Sequence, residues 1–479
     1  MFRIADPISI RSRSLVIVIM RFGSAVFPQL WRRAECSRLF STRISAIEVP
    51  YTQSTVGAEE IDAVSQVIAS DRLIMGPKVT EFESMLARFC GRKFAVAVSS
   101  GTSALQAVLH LRGVSSEWTV FVPAYTWVAT YNVAVATGAR VILVDVRPDS
   151  YCMSMRALER AIEDERKLFP NRRLCVMPVH MFGYRCGAEV DEITLDALSK
   201  QHNVTVIGDA CCAFASVENG VTCGNWTPIE CTSFHPRKLL TTGEGGAVFT
   251  DSEEEMLRLK RLRDHGAFRD AEQRKQTTQG GTLVPQFPEA GFNYRMTEMQ
   301  GAIGVEQMKK IDWITSRRKS IARRYDEEIQ ASKELSSLLQ VPLARTGLLD
   351  DRVLTAYPVK MNFASPASVV ESFLSQDIQS TERYARMKRL RHEIIHHCAQ
   401  VRVALRPPMI CLPDIAFIVR DQVRLGILAS EDQVDLRFPG ARVCLDMTFA
   451  LPSFPQLSAD QQSRVLEVLH EFAAAHVTE

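Results

Sequence analysis

The sequence predicts an α/β fold: a mostly parallel sheet with helices on both faces, followed by a smaller C-terminal α+β domain. Short, continuous apolar runs alternate with segments of helical apolar spacing from about residue 55 onward. Strands that are apolar along their whole length are typical of a parallel sheet covered on both faces. A chain of 479 residues, 46% hydrophobic and 23% charged, is long enough for two globular domains and a tail.

The predicted elements follow one another in the order that such a sheet requires. Two amphipathic helices, at 57–70 and 78–91, come first. The predicted strands lie at 94–100, 118–124, 140–146, 174–183, 203–210, 231–235 and 245–250, and the helices between them open at Ser100 and lie at 126–138, 154–165 and around 189–201. Residues 291–312 are predicted to turn into one long helix that continues to about residue 331, and a last helix is predicted at 458–477.

The chain is expected to divide into three parts. Residues 49–310 form the large domain and residues 311–479 the small C-terminal domain. Residues 1–48 form a leader: up to Ile47 it contains eight arginines and seven serines, no lysine and only two acidic residues. This composition resembles an organellar, mitochondrial-like transit peptide. A disordered leader, or a start codon assigned too far upstream, explains it equally well.

Charge, apolar runs and cysteine spacing exclude several classes of protein. A net charge of +2 argues against a dedicated nucleic-acid surface, and no run reaches the roughly 18 apolar residues of a membrane-spanning helix. The twelve cysteines show no repeated spacing and favour reduced thiols, so a cytoplasmic protein is expected, with an organelle as the alternative. Cys211, Cys212, Cys223 and Cys231 contain no C-x-x-C pair, and we predict no metal site.

The residues with the clearest chemical meaning are Lys238, in SFHPRKLLTTGEGG (233–246), and Asp209, which closes the apolar strand VIGDA (206–210). A lysine amine condenses with the aldehyde of pyridoxal phosphate (PLP). A carboxylate keeps the pyridine nitrogen of the cofactor protonated, so that the ring accepts electrons. The pair therefore suits PLP chemistry, although a lone lysine near glycines is more often a solvated surface residue.

Small and aromatic residues at other strand ends are compatible with the same cofactor. SSGTSAL (99–105) leads from a strand into a helix, where Gly101, Thr102 and Ser103 are suited to a phosphate or to an ordinary helix cap. Trp127 lies at the start of the next helix and is suited either to stack on a pyridine ring or to pack in the core. Ser233 precedes Lys238 by five residues and can add a phosphate contact.

Taken together, these stretches resemble the DegT/StrS-type nucleotide-sugar aminotransferases, which are fold-type-I PLP enzymes. The matching segments are LIMGPKVTEFE (73–83), AVAVSSGTSALQAVL (95–109), VPAYTWVAT (122–130), PVHMFG (178–183), VIGDA (206–210), SFHPRKLLTTGEGGAVFTD (233–251), LKRLRDHGA (259–267) and GFNYRMTEMQGAIGVEQM (291–308). Each segment is weak alone, but their order and spacing over about residues 50–310 are specific.

The resemblance implies a role for each matching residue. Lys238 matches the lysine that binds PLP and moves the proton, Asp209 the partner of the pyridine nitrogen, and Trp127 the aromatic that stacks on the ring. Gly101, Thr102 and Ser103 match the phosphate-binding turn, and Ser233 a hydroxyl that contacts the phosphate. Asn293 matches an asparagine that reaches the cofactor of the neighbouring subunit, which implies a homodimer with shared active sites. His180 matches a histidine on the substrate side.

The resemblance also implies the reaction, with departures that leave alternatives open. A ping-pong aminotransferase would move an amino group from glutamate, released as 2-oxoglutarate, to a keto group of a nucleotide-linked deoxysugar. However, Cys212 stands where the family commonly has Gln or His near the ring hydroxyl, and Gly208 replaces an acidic residue. Residues 364–438 lack the family's substrate segment and include the basic stretch 383–397, which we interpret as a solvated helix face. Another fold-type-I PLP enzyme, or a catalytically lapsed binding or scaffold subunit, remains an alternative.

Overall fold

The structure is a computed structural model, and it describes residues 47–188, 193–268, 278–279, 282–283, 286–342, 352–362, 382–428, 430 and 437–476. Nearly all of the predicted leader lies outside the described residues, and so do residues 364–381 of the divergent segment. Within the described part of the chain, no helix is long and apolar enough to cross a bilayer.

The described elements are numbered in chain order. The α-helices are α1 (Ala58–Ala69), α2 (Pro77–Cys90), α3 (Gly101–Leu111), α4 (Ala129–Val135), α5 (Met155–Leu168), α6 (Leu195–His202), α7 (Glu253–Leu262), α8 (Glu298–Lys309), α9 (Ile311–Ala331), α10 (Lys333–Leu338), α11 (Glu382–Gln400), α12 (Ala416–Arg424), α13 (Pro439–Met447) and α14 (Ala459–His476). The strands are β1 (Phe94–Val98), β2 (Trp118–Pro123), β3 (Arg140–Val144), β4 (Arg173–Val176), β5 (Val204–Val206), β6 (Gly208–Asp209), β7 (Val217–Glu218), β8 (Val221–Thr222), β9 (Glu230–Ser233), β10 (Gly246–Thr250), β11 (Thr278–Gln279), β12 (Thr282–Leu283), β13 (Leu339–Gln340), β14 (Tyr357–Met361) and β15 (Thr448–Leu451).

The central sheet confirms the predicted α/β fold and brings several strand ends to one edge. Strands β3, β2, β4 and β5 pair in parallel in that spatial order, and β6, β9, β10 and β1 form a second set. A parallel bridge between Val179 and Asp209 makes the two sets continuous. Only β10 runs antiparallel within these eight strands, pairing with β1 and β9. The carboxyl ends of β1, β2, β6 and β9 therefore lie along the same edge, where α/β sheets bind ligands.

The predicted long helix within residues 291–331 is two helices in the structure. Hydrogen bonds of specific side chains determine where the first helix begins and where the chain breaks. Thr297 caps α8 through its hydroxyl, and Gln300 completes the capping box, so the helix begins at Glu298. Lys310 then separates α8 from α9. Its ammonium lies 2.6 Å from the buried Glu60 carboxylate and 3.0 Å from the carbonyl of Thr55, which holds the chain at this break.

The predicted strand at 174–183 is also shorter than expected. Strand β4 ends at Val176, and residues 181–183 form a 3₁₀ turn. Pro178 has no N–H to donate to a neighbouring strand, and Phe182 has a positive φ of 51°, which is not a strand conformation. Residues 178–180 still pair with Asp209 through main-chain hydrogen bonds, and the 3₁₀ turn at 181–183 then ends this pairing.

The C-terminal part adds a small antiparallel sheet and several helices. Strands β13, β14 and β15 pair in that order, and the predicted last helix is confirmed as α14. The largest cluster of buried hydrophobic side chains contains residues of the central sheet and of this C-terminal part. The domain boundary near residue 310 accordingly stays a prediction.

Candidate active site

The loop between β9 and β10 carries Lys238 towards the carboxyl edge of the sheet. The Nζ of Lys238 donates a hydrogen bond to the Sγ of Cys212, at 3.3 Å. Burial lowers the pKa of Lys238, but Cys212, Cys211 and Asp209 together raise it, and the net pKa lies above the usual value. The free amine is therefore an ammonium at neutral pH, and the proton must leave before the amine can act as a nucleophile.

Asp209 ends β6 as a buried carboxylate with two hydrogen bonds. It is 4% exposed; its Oδ2 accepts from the hydroxyl of Thr130 at 2.9 Å, and its Oδ1 accepts from the main-chain N–H of Cys211 at 3.1 Å. Donors on both oxygens fix the orientation of the carboxylate and offset part of the cost of burying its charge. Such a carboxylate suits a partner for a cationic ring nitrogen.

The first turn of α3 offers main-chain donors close to β9. A Cβ built on Gly101 would lie 2.7 Å from the Cβ of Ser233 and 2.9 Å from the Sγ of Cys211, so only glycine fits this approach. Within the described part of the chain, the N–H groups of Gly101 and Thr102 have no hydrogen-bond partner. Free N–H groups at a helix N-terminus favour an anion. Thr102 is exposed and adds a hydroxyl at the same turn.

Ser103 contributes to this turn differently from the prediction. Its hydroxyl donates to the carbonyl of Ser100 at 2.8 Å and accepts from the N–H of Ser100, also at 2.8 Å. The hydroxyl of Ser100 in turn accepts from the N–H of Ser103 at 3.0 Å. Because the one hydroxyl proton of Ser103 is used in this cap, we interpret Ser103 as a residue that shapes the phosphate-binding turn.

Trp127 and Asn293 are both exposed near the site. Trp127 is 56% exposed and lies between β2 and α4, one helical turn before Thr130. Its exposed ring is therefore available to a ligand at this edge of the sheet. Asn293 is exposed and forms a bridge with Asp264, and the carbonyl of the adjacent Tyr294 accepts from the N–H of Ser99 at 2.8 Å. Asn293 is thereby held next to the turn that precedes α3.

His180 lies beneath the site and not on its surface. Its ring is fully buried, with Nε2 3.0 Å from the carboxylate of Glu230 and Nδ1 accepting from the N–H of Cys186 at 3.1 Å. Its main-chain N–H donates to the carbonyl of Asp209 at 2.9 Å. The expectation that His180 meets the substrate is therefore not supported by its position, and we interpret it as a support for the strand that carries Asp209.

Glu230 also explains why position 208 is a glycine and not the acidic residue expected from the family pattern. A Cβ on Gly208 would lie 2.4 Å from the hydroxyl of Thr227 and 2.5 Å from the Cγ of Glu230. The buried side chain of Glu230 thus occupies the space into which an acidic side chain at position 208 would project. A second carboxylate there would also meet like charge, so glycine is the residue that fits.

Two neighbours of the site were missed by the sequence prediction. Thr130, which donates to Asp209, lies in VPAYTWVAT three residues after Trp127. This spacing places both residues on the same face of a helix, so it could have identified Thr130 as a neighbour of the site. Cys211 was discussed only in connection with a metal site, which was not predicted, and its contact with Gly101 was missed. Burial, followed by the charge of Asp209, raises the pKa of Cys211 well above its usual value and keeps it a neutral thiol.

The assembled groups fit pyridoxal phosphate on three observations. An amine and a buried, hydrogen-bonded carboxylate lie at one sheet edge, because Lys238 and Asp209 both neighbour the Cys211–Cys212 pair. Two main-chain donors at the N-terminus of α3 suit the phosphate group. An exposed tryptophan suits the flat ring.

Comparison with known proteins identifies relatives over most of this fold. Residues 54–404 match the DegT/DnrJ/EryC1/StrS aminotransferase family. "Uncharacterized protein MJ1066" of Methanocaldococcus jannaschii is 34% identical over 282 residues, which cover 59% of this chain and 70% of that protein. The crystal structure of a DegT DnrJ EryC1 StrS aminotransferase from Brucella abortus is similar with a TM-score of 0.67 and 25% identity, covering 87% of this chain and 95% of that one. The PLP form of the putative sugar aminotransferase Spr1654 from Streptococcus pneumoniae shares the fold, with a TM-score of 0.72, 21% identity and coverage of 89% and 99%.

Proposed function

The chain belongs to the DegT/DnrJ/EryC1/StrS aminotransferase family, and on that premise we propose that it transfers an amino group from glutamate to the keto carbon of a nucleotide-linked deoxysugar. Members of the family are PLP-dependent aminotransferases, and so is this protein. The single observation that carries the residue assignment is the position of Lys238 beside Cys212, with the hydrogen-bonded carboxylate of Asp209 at the same strand ends.

Each residue of the site has a distinct task in this proposal. Bound PLP supplies an electron sink that stabilises negative charge on the reacting substrate carbon. Lys238 holds the cofactor covalently and, once its Nζ is free, moves the proton to and from that carbon as general base and acid. Asp209 holds a proton on the ring nitrogen, and Thr130 and the N–H of Cys211 keep the carboxylate in place.

The remaining residues bind and shield the cofactor. The N–H groups of Gly101 and Thr102, with the hydroxyls of Thr102 and Ser233, are proposed to hold the phosphate, while Trp127 covers the ring. Asn293 is proposed to reach the site of a second subunit, so that the active unit is a homodimer. Its exposed side chain, next to the turn that precedes α3, supports this assignment.

The lysine assignment is tested by trapping the cofactor on the protein. Reduction of the PLP-loaded enzyme with borohydride should attach the cofactor to one peptide, the one that contains Lys238. Peptide mapping that finds the label on another lysine, or no label at all, would overturn the assignment. Formation of 2-oxoglutarate from glutamate with a panel of nucleotide-linked keto-sugars then identifies the acceptor.

A second candidate function rests on Cys212. Since the thiol of Cys212 occupies the hydrogen-bonding position beside Lys238, a family member that has lost turnover and serves as a binding subunit is the alternative. The absorbance of the PLP-loaded protein distinguishes the two functions. An active enzyme binds PLP with a visible absorbance that shifts when glutamate is added, whereas a lapsed subunit shows no such shift.

A further inference from the structure

We infer that two residues of α12, Asp421 and Gln422, position α4 for the reaction. They hold Tyr131, so that the neighbouring hydroxyl of Thr130 reaches the carboxylate of Asp209. The inference rests on the proposed function, because it concerns how the partner of the pyridine nitrogen is kept in place.

Helix α12 belongs to the divergent segment and packs beside the loop that leads into α4. It lies beyond residues 54–404, the part of the chain that matches the family. The main-chain N–H of Leu412 donates to the carbonyl of Ala124 at 2.8 Å. Cys411 forms an antiparallel bridge with Tyr125. The segment that precedes α12 thus runs along the same loop that carries the exposed tryptophan of the site.

Helix α4 depends on its neighbours for its position. It has seven residues, and in the described part of the chain no side chain caps it at Val128. A helix of two turns is not stable by itself in water. The hydroxyl of Thr130 lies 2.9 Å from the Oδ2 of Asp209, and a hydrogen bond weakens steeply when its donor is displaced or misaligned. Contacts from outside α4 are therefore needed to keep this bond in place.

Tyr131 follows Thr130 in α4 and supplies one such contact. Its side chain is fully buried, and its hydroxyl donates to the Oδ2 of Asp421 at 2.6 Å. Burial, together with the hydrogen bond to Asp421, raises the pKa of Tyr131, so the hydroxyl keeps its proton and stays a donor. The Oδ1 of Asp421 accepts from the Nε of Arg424 at 3.2 Å. A hydrogen bond from a hydroxyl to a carboxylate is stronger than one between neutral groups.

Gln422 attaches α12 to the central sheet, which gives Asp421 a defined position. Its buried amide donates to the carbonyl of Val141 at 2.8 Å and accepts from the N–H of Leu143 at 3.3 Å. Both partners belong to β3, the outermost of the four parallel strands. The same Nε2 donates to the hydroxyl of Tyr131 at 3.4 Å. The amide of Gln422 thus occupies an edge that no other described strand covers.

A continuous series of contacts therefore connects the edge of the sheet to the carboxylate of Asp209. It passes from β3 to Gln422 and Asp421, then to Tyr131, and along α4 to Thr130. Asp421 and Gln422 act through Thr130, so they are positioning residues. Loss of one contact allows α4 to move relative to Asp209.

The inference is tested by the PLP affinity of the full chain, measured from the cofactor absorbance without substrate. Tyr131→Phe and Asp421→Ala should each weaken PLP binding about three- to tenfold, because Thr130 loses part of a hydrogen bond to a charged group. Asp421→Asn should restore most of the affinity lost in Asp421→Ala, since its amide oxygen still accepts from Tyr131. Tyr325→Phe is the matched control, because it removes a buried hydroxyl that donates to the carbonyl of Pro452, and it should leave the affinity unchanged.

A double variant separates positioning from a general contribution to stability. If α4 acts through Thr130, adding Tyr131→Phe to Thr130→Val should not weaken PLP binding beyond the loss caused by Thr130→Val alone. Additive losses, or wild-type affinity in both Tyr131→Phe and Asp421→Ala, would overturn the inference. Because affinity is measured without turnover, these outcomes are distinct from a wild type that binds PLP but forms no 2-oxoglutarate from glutamate. That result would remove the proposed function and leave the positioning role in place.

Discussion

Single residues around Lys238 determine whether the site can carry out transamination. The thiol of Cys212 and the carboxylate of Asp209 both favour the ammonium form of this lysine, and burial opposes it. An amine held as a cation is well placed to return a proton to a substrate carbon, but it must lose that proton to act as a base. The same neighbours therefore set both halves of its proposed acid–base role.

Replacement of Lys238 by alanine should abolish transamination and leave the protein folded. The lysine is on a loop and is half-buried, so its loss removes little packing. The measurement is 2-oxoglutarate release together with the thermal unfolding midpoint. Lys200→Ala, which removes an exposed lysine from α6, is the control and should retain full turnover. Near-normal turnover of the Lys238 variant would exclude the proposed mechanism.

Thr130 should matter for cofactor binding through its hydroxyl alone. Thr130→Val keeps the shape of the side chain but removes the donor to the buried Asp209 carboxylate. We expect PLP affinity to fall about tenfold, since a hydrogen bond to a charged group is lost. Thr130→Ser should restore it. The affinity is measured from the cofactor absorbance, and equal affinities of the valine and serine variants would contradict this role.

A hydrogen bond to a buried carboxylate joins two elements of the C-terminal part. The hydroxyl of Tyr357, in β14, donates to the carboxylate of Asp326, in α9, at 2.5 Å. Burial raises the pKa of Asp326 to about 6, although the Tyr357 hydroxyl and the charge of Arg352 partly offset it. An acid whose folded pKa exceeds its unfolded pKa destabilises the fold when it ionises. Stability should therefore fall as pH rises from about 4 to about 6 and should stay lower above that range.

Asp326→Asn tests this sign because it removes the charge and keeps an acceptor for Tyr357. The free energy of urea unfolding of the variant relative to the wild type should increase by about 1–2 kcal/mol between pH 4 and pH 8, after allowance for partial solvent screening. Asp312→Asn, at an exposed position of the same helix, is the control for removing one acidic charge. A pH-independent difference would show that Asp326 does not titrate in this way.

The pattern of apolar residues predicted which segments form strands and helices better than it predicted where they begin and end. The strands at 94–98, 118–123 and 140–144 agree with the predicted runs, because their burial on both faces makes them apolar throughout. The break at Lys310 was not predictable, since it depends on Glu60 and Thr55, which are about 250 residues earlier in the sequence. Likewise, the buried position of His180 depends on Glu230, which no local pattern connects to it.

The whole molecule brings the site together from distant parts of the chain. Lys238 comes from the β9–β10 loop, Asp209 from β6, and Trp127 from the end of β2. Sequence motifs identified all three, because the carboxyl ends of parallel strands meet at one edge. The hydroxyl of Thr355, which donates to the carbonyl of Cys212, was not predicted, because this contact joins positions 143 residues apart in sequence.

The proposed sharing of Asn293 between subunits can be tested with two impaired variants, assayed without added PLP. Asn293→Ala should weaken PLP retention, and Lys238→Ala should lack turnover. If Asn293 serves the neighbouring subunit, a hybrid dimer of the two contains one site with both residues intact. Random mixing after dissociation should then restore about one quarter of the wild-type rate, since half of the dimers are hybrids with one working site each. If Asn293 serves its own subunit, each site of the hybrid lacks one residue, and no activity returns beyond that of the separate variants. Wild-type PLP affinity in the Asn293 variant alone would remove the basis for a shared site.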